Sequence, residues 1–172
     1  RWMGALPRSI RFAIGDTRFV VTHGGVNNIN EFLFASSPAE RKLDQLVASN
    51  AHCIIGGHCG LPFGEAITYG DQGDEYRFWL NTGAIGMPAN DGTTDGWYLV
   101  LERDTAGPGI FVRWNRLKYD HAGAAESMAA RGLGSAYSDA LTTGLWPSMD
   151  ILPDAERSAQ GQPLSPPPIG VG

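Results

Sequence analysis

No stretch of about eighteen consecutive apolar residues occurs in this sequence, so it holds no run of the length that a membrane-spanning helix needs. Positive charge is scarce as well. Lysine and arginine total 13 against 18 aspartates and glutamates, for a net charge of −5. No basic stripe stands out, which disfavours nucleic-acid binding through phosphate neutralisation. An acidic chain can still hold phosphate where a metal supplies the positive charge. Cysteine is rare. Cys53 and Cys59 do not make a secreted disulfide framework and fit reduced thiols in a cytoplasmic protein. A starting methionine is lacking, and "RWMGALPRSI" has neither the apolar core nor the small-residue cleavage site of a signal peptide. It reads as the inside of a longer protein.

What is present is globular. Apolar residues make up 42% and charged residues only 18%, which is not the balance of a disordered chain. A domain near this size buries roughly 70% of the surface its unfolded chain exposes, so a core can form without staples. The 23 glycines point to tight turns and close backbone approaches.

Two β-rich runs, Ile10 to Ile14 and Arg18 to Thr22, flank Gly15-Asp16 and predict a hairpin. "SPAERKLDQLVASN" predicts a helix with Ser37 as N-cap, Pro38 at the first position and Glu40 three after the cap. Leu43, Leu46 and Val47 give it an apolar face. "AHCIIGG" reads as a short buried strand, and the strand–helix–strand unit from Arg18 to Gly56 suits a parallel pair. "EAITYG", "EYRFWLNTG", "GWYLVLERD" and "GIFVRWNRLKYD" read as later strands in an antiparallel run, joined in part by the loops "DQGDE" and "TAGPG". "HAGAAESMAARG" and "SAYSDALTTG" read as helices closed by Gly132 and Gly144. Residues 1–146 form the expected domain. Residues 147–172, rich in proline, serine and glycine, read as a tail without its own core.

Two histidines share one context. His23 follows "FVVT" and precedes two glycines, and His58 follows "CIIGG". Each is expected at the carboxyl end of a strand of the same unit, where open α/β sheets place their ligands. Two neutral imidazoles side by side suit a divalent metal. His52 and His121 are expected in structural roles. A zinc cluster built on "HCIIGGHC" is disfavoured, because His52 and Cys53 are strand neighbours that point to opposite faces. Cys59 is an alternative nucleophile, but no orienting acid is placed near it. Asp16, Asp71 and Asp74 each sit in a Gly-Asp pair or beside a glycine and read as turn residues.

"VVTHGG", "IIGGHCG" and "LNTGAIGMP", taken in order, resemble the later motifs of the calcineurin-like metallophosphoesterases. That family's pattern runs Asp-x-His, Gly-Asp, Gly-Asn-His, a lone histidine after a hydrophobic strand, and Gly-His-x-His, then a turn of the kind Asn-Pro-Gly-Ser-x-Gly-x-Pro. This sequence matches the fourth block at His23 and the first histidine of the fifth at His58. It matches the turn at Asn81, Gly83, Gly86 and Pro88, with Thr82 and Ala84 in place of the commoner residues. The resemblance covers roughly residues 1 to 103. It implies an α/β fold, an αββα sandwich of which this chain is the C-terminal portion. It implies two divalent metal ions (manganese, iron or zinc), with His23 and His58 on the second of the pair. Gly24, Asn27 and Cys59 are the expected substrate-binding residues, although Asn27 also reads well as a turn former.

Two departures from the family pattern stand out. Gly60 occupies the position of the fifth block's second histidine, and no Asp-x-His or Asn-His occurs anywhere in the sequence. The blocks that carry the bridging aspartate and the proton-donating histidine are expected upstream of Arg1, and the chain by itself is expected to be inactive. The expected function of the full protein is metal-dependent hydrolysis of a small phosphomonoester or phosphodiester. The alternative is a non-catalytic module that binds metal or a phosphorylated ligand.

Overall fold

In the computed structural model, residues 2–70, 73–105 and 109–172 are described, apart from the side chain of Met3. Asp71 of the expected turn set, part of "DQGDE" and the centre of "TAGPG" lie outside these residues.

The hairpin forms as the two β-rich runs around Gly15-Asp16 predict. Strands β1 (Ser9–Ile14) and β2 (Thr17–Thr22) pair antiparallel around a turn at Gly15, whose φ of +59° suits glycine. Helix α1 (Ala39–Ala48) then leads to β3 (Cys53–Gly56), which lies parallel to β2. Strands β4 (Pro62–Tyr69) and β5 (Glu75–Thr82) pair antiparallel, but β5 also runs parallel beside β3. The expected antiparallel run is therefore split. Its first half completes a five-stranded sheet in the order β1-β2-β3-β5-β4. Its second half, β6 (Gly96–Arg103) with β7 (Ile110–Leu117), belongs to a separate three-stranded sheet.

The central strands are buried on both faces, which is why they read as continuous apolar runs rather than alternating ones. Phe19, Cys53, Ile55, Phe78 and Leu80 point toward the second sheet and pack with Trp97, Ile110, Val112 and Trp114. Val20, Ile54 and Trp79 point the other way, toward Leu46 of α1 and toward Leu33, Phe34 and Trp146. The layers are thus helix, sheet, sheet, the α–β–β part of the expected sandwich. The outer face of the second sheet is exposed at Tyr98 and Phe111.

Helix α1 departs from expectation at its cap and in part at its face, where Leu46 and Leu43 pack into the core as expected but Val47 does not. Ser37 does not cap it; its hydroxyl accepts from the Phe34 amide, and Pro38 stands at the N-cap without a side-chain bond. Val47 is exposed, while Lys42, Gln45 and Leu46 are buried. Lys42 is tolerated because its ammonium pairs with Glu65 at 2.5 Å and donates to the Ala35 and Ser37 carbonyls.

Helices α2 (His121–Ala130) and α3 (Ser135–Thr143) pack on each other, and Gly144 ends α3 in the left-handed conformation. The segment expected as a tail is docked instead. It carries α4 (Asp154–Ser158) and β8 (Ile169–Val171), and β8 pairs with β7 at the edge of the second sheet. Its apolar residues are few but placed to count: Leu152 and Val171 are buried in the two cores. Buried Asp91 anchors the same segment, accepting from the Leu164 amide at 3.0 Å and from Arg116 at 2.9 Å.

Candidate metal and phosphate site

Strands β2, β3 and β5 run parallel, so their carboxyl ends open on one edge of the sheet. The chain leaves β2 at Thr22 and the next residue is His23. It leaves β3 at Gly56, and His58 follows two residues later. The two rings meet there, with His58 Nδ1 at 2.8 Å from His23 Nε2. That contact needs a proton on one facing nitrogen and a bare lone pair on the other.

Several bonds hold the loops in place. The Gly57 amide donates to the His23 carbonyl at 2.9 Å, tying the two loops together. Asn81, at the end of β5, donates from Nδ2 to the Gly57 carbonyl at 2.7 Å and accepts from the Gly83 amide through Oδ1. The His23 loop is braced from α1, where Gln45 Oε1 accepts from the Val26 amide and Gln45 Nε2 donates to Glu31. Gly24 has no room for a side chain, because a Cβ there would stand 2.5 Å from the Ile29 carbonyl oxygen.

His58 has φ +59°, a left-handed backbone that histidine adopts more readily than most residues but at a cost of roughly 1–2 kcal/mol. Non-glycine residues held this way gather at functional sites. The Phe32 ring stacks on the His58 imidazole with centroids 4.1 Å apart. Burial, and then the neighbouring His23, push the His58 pKa below its ordinary value, which favours the neutral ring that a metal requires.

The pair fits one ion in part. Imidazole–metal bonds of about 2.0–2.1 Å put two nitrogens on one ion about 2.9–3.4 Å apart, so the pair would open only slightly from its 2.8 Å separation to share one. Among the described residues no group of three or more His, Cys, Asp and Glu side chains gathers, so these residues supply two ligands and not a closed shell. At Gly60 a side chain is obstructed. Its φ is +71°, and a Cβ would lie 3.1 Å from Cζ2 of Trp146. Trp146 is pinned by its Nε1 donating to the Pro88 carbonyl at 2.6 Å and by its amide donating to Asn90 Oδ1.

The other expected site residues fall as follows. Gly24 is buried behind His23, and Asn27 is exposed beside the turn closed by the Gly25 amide on the Asn28 carbonyl. Cys59 lines the wall next to His58, but its thiol faces the core, where burial pushes its pKa up to about 12. It offers no reactive sulfur to a substrate. His52 is structural, accepting from the Arg18 amide at 3.2 Å. Gln45 and Phe32 were not legible as site residues, because they act through partners distant in sequence.

A cavity of about 370 Å³ sits over the carboxyl ends of β2, β3 and β5. It is walled by His23, His58 and Gly56, Gly57, Gly60 and Gly83. Glycines here leave room for a ligand to approach the backbone.

Two solved structures share the architecture. A metallophosphoesterase from Sphaerobacter thermophilus matches with a TM-score of 0.58 at 22% identity, over 84% of this chain and 60% of its own. A hypothetical protein from Pyrococcus horikoshii OT3 matches with a TM-score of 0.66 at 14% identity, over 84% of this chain and 54% of its own. The fold is that of the metallophosphoesterases. At these identities the likeness is one of fold, and the chain spans little more than half the length of either structure. No protein-family model matches the sequence, and no curated protein matches it. Within this fold no described helix is long and apolar enough to cross a membrane.

Proposed function

We propose that the protein is a metal-dependent phosphoesterase acting on a small phosphomonoester or phosphodiester, with this chain contributing His23 and His58 to one of two divalent ions. The observation that carries the reading is the 2.8 Å meeting of the two imidazoles at the carboxyl ends of adjacent parallel strands. Bound manganese, iron or zinc supplies positive charge to the phosphoryl group and activates water as a nucleophile. The chain's own residues bind and orient. His23 and His58 present their ring nitrogens, Asn81 and Gln45 fix the loops that carry them, and the glycine-walled cavity admits the phosphate. The two free thiols, Cys53 and Cys59, fit a cytoplasmic setting.

The obstructed Gly60 position favours a second reading, a module that binds metal or a phosphorylated ligand without turnover. The readings separate in the full-length protein with p-nitrophenyl phosphate and its bis-ester as substrates. The phosphoesterase reading predicts hydrolysis that a chelator abolishes and that His23→Ala or His58→Ala each removes. Metal binding without hydrolysis of either ester would favour the binding module.

A further inference from the structure

We infer that a second cavity, adjoining the histidine pair, is a site for an uncharged aromatic group. As the leaving-group pocket of a phosphate ester it rests on the function proposed above. The cavity is about 340 Å³, within the roughly 300–1,000 Å³ usual for small-molecule sites. It shares His58, Gly60 and Ala84 with the glycine-walled cavity, so one ligand can extend from one into the other. Its remaining wall is mainly apolar: Phe32, Met87, Tyr137, Trp146 and Ile151. Among the described residues no carboxylate, lysine or arginine lines it, which selects against a charged group there.

Three separate parts of the chain build this wall. Phe32 comes from the loop after β2, Met87 from the turn after β5, and Tyr137, Trp146 and Ile151 from α3 and the segment behind it. Tyr137 and Ile151 are 59% and 47% exposed, so packing within this chain does not account for their apolar surface. Trp146 is held rigidly by its two hydrogen bonds and offers a ring edge beside Gly60. A fixed aromatic wall with exposed apolar residues at the mouth suits a planar ring, and stacking adds to the area buried.

The test uses 1-naphthol as a neutral probe, then 1-naphthyl phosphate and ethyl phosphate as esters of equal charge. Calorimetric titration is expected to show naphthol binding that the double variant Tyr137→Ala, Ile151→Ala weakens by about tenfold, as the loss of two apolar contacts implies. Both residues are largely exposed, and circular dichroism checks that the variant folds. Absent binding, or binding that the variant leaves unchanged, overturns the inference. In the full-length protein, a kcat/KM that the double variant lowers about tenfold for the naphthyl ester but leaves unchanged for the ethyl ester supports it, since the intrinsic reactivity of each leaving group is then held fixed. A kcat/KM for the naphthyl ester that the variant leaves unchanged overturns it while the phosphoesterase reading stands. Naphthol binding that the variant weakens, with neither ester hydrolysed, leaves the aromatic site standing and the phosphoesterase reading fallen.

Discussion

His58 and Gly60 are two residues apart and both have positive φ, yet they face opposite demands. His58 carries a side chain in spite of the backbone cost, as its proposed role as a metal ligand requires. Gly60 cannot carry one cheaply. Gly60→Ala is expected to destabilise the protein by about 2 kcal/mol, from the left-handed backbone and from the Trp146 ring that must give way. Urea unfolding measures it; a change under about 0.5 kcal/mol would contradict the account. The cysteines give a second check at this scale. Cys59 is buried with its thiol pKa raised to about 12, and burial raises Cys53 as well. Neither is expected to react with a thiol reagent at pH 8 in the folded protein, and both should react in denaturant. Rapid labelling of Cys59 in the native state would revive the thiol-nucleophile alternative.

Elements set the site through bonds that sequence patterns only partly disclose. The ends of β2 and β3 were legible because a β-rich run stops at a histidine beside glycines in each case. The face of α1 was legible only in part: Leu43 and Leu46 pack inward as their spacing implies, and Val47 does not. Periodicity favours Val47, but Lys42 and Gln45 go inside because Glu65 and Glu31, from other elements, meet their polar ends. Asn81 was visible as part of a turn motif, and its action on the His58 loop is a matter of folding β5 next to β3. Asn81→Ala is expected to cost about 2–3 kcal/mol, since it strips partners from the Gly57 carbonyl and the Gly83 amide. It should also weaken zinc binding without touching either histidine. Unchanged zinc affinity in a folded Asn81→Ala variant would remove its positioning role.

At the scale of the whole molecule, the C-terminal segment is part of the domain's construction. Its composition pointed to a free tail, because a few apolar residues spread among prolines and glycines show no period. Its attachment depends on distant partners: β7 for Val171, and Asp91 for the Leu164 amide. Burial alone would raise the Asp91 pKa, but hydrogen bonds from Thr93, the Leu164 amide and Arg116 outweigh it and hold the carboxyl below its ordinary 3.8. The stability this contributes is complete above pH 3.8 and is lost as pH falls from there through the lower folded value. Unfolding free energies measured from pH 6 downward should fall less steeply in Asp91→Asn than in the wild type over that window. Equal slopes would mean that the anchor does not depend on the ionised carboxylate. The central claim is more local: one cation shared by His23 and His58. Calorimetric titration of the chain with zinc tests it most directly. The account predicts one zinc per chain, lost in His23→Ala and in His58→Ala but retained in His52→Ala and His121→Ala. Zinc binding that survives both site variants, or none in the wild type, would contradict it.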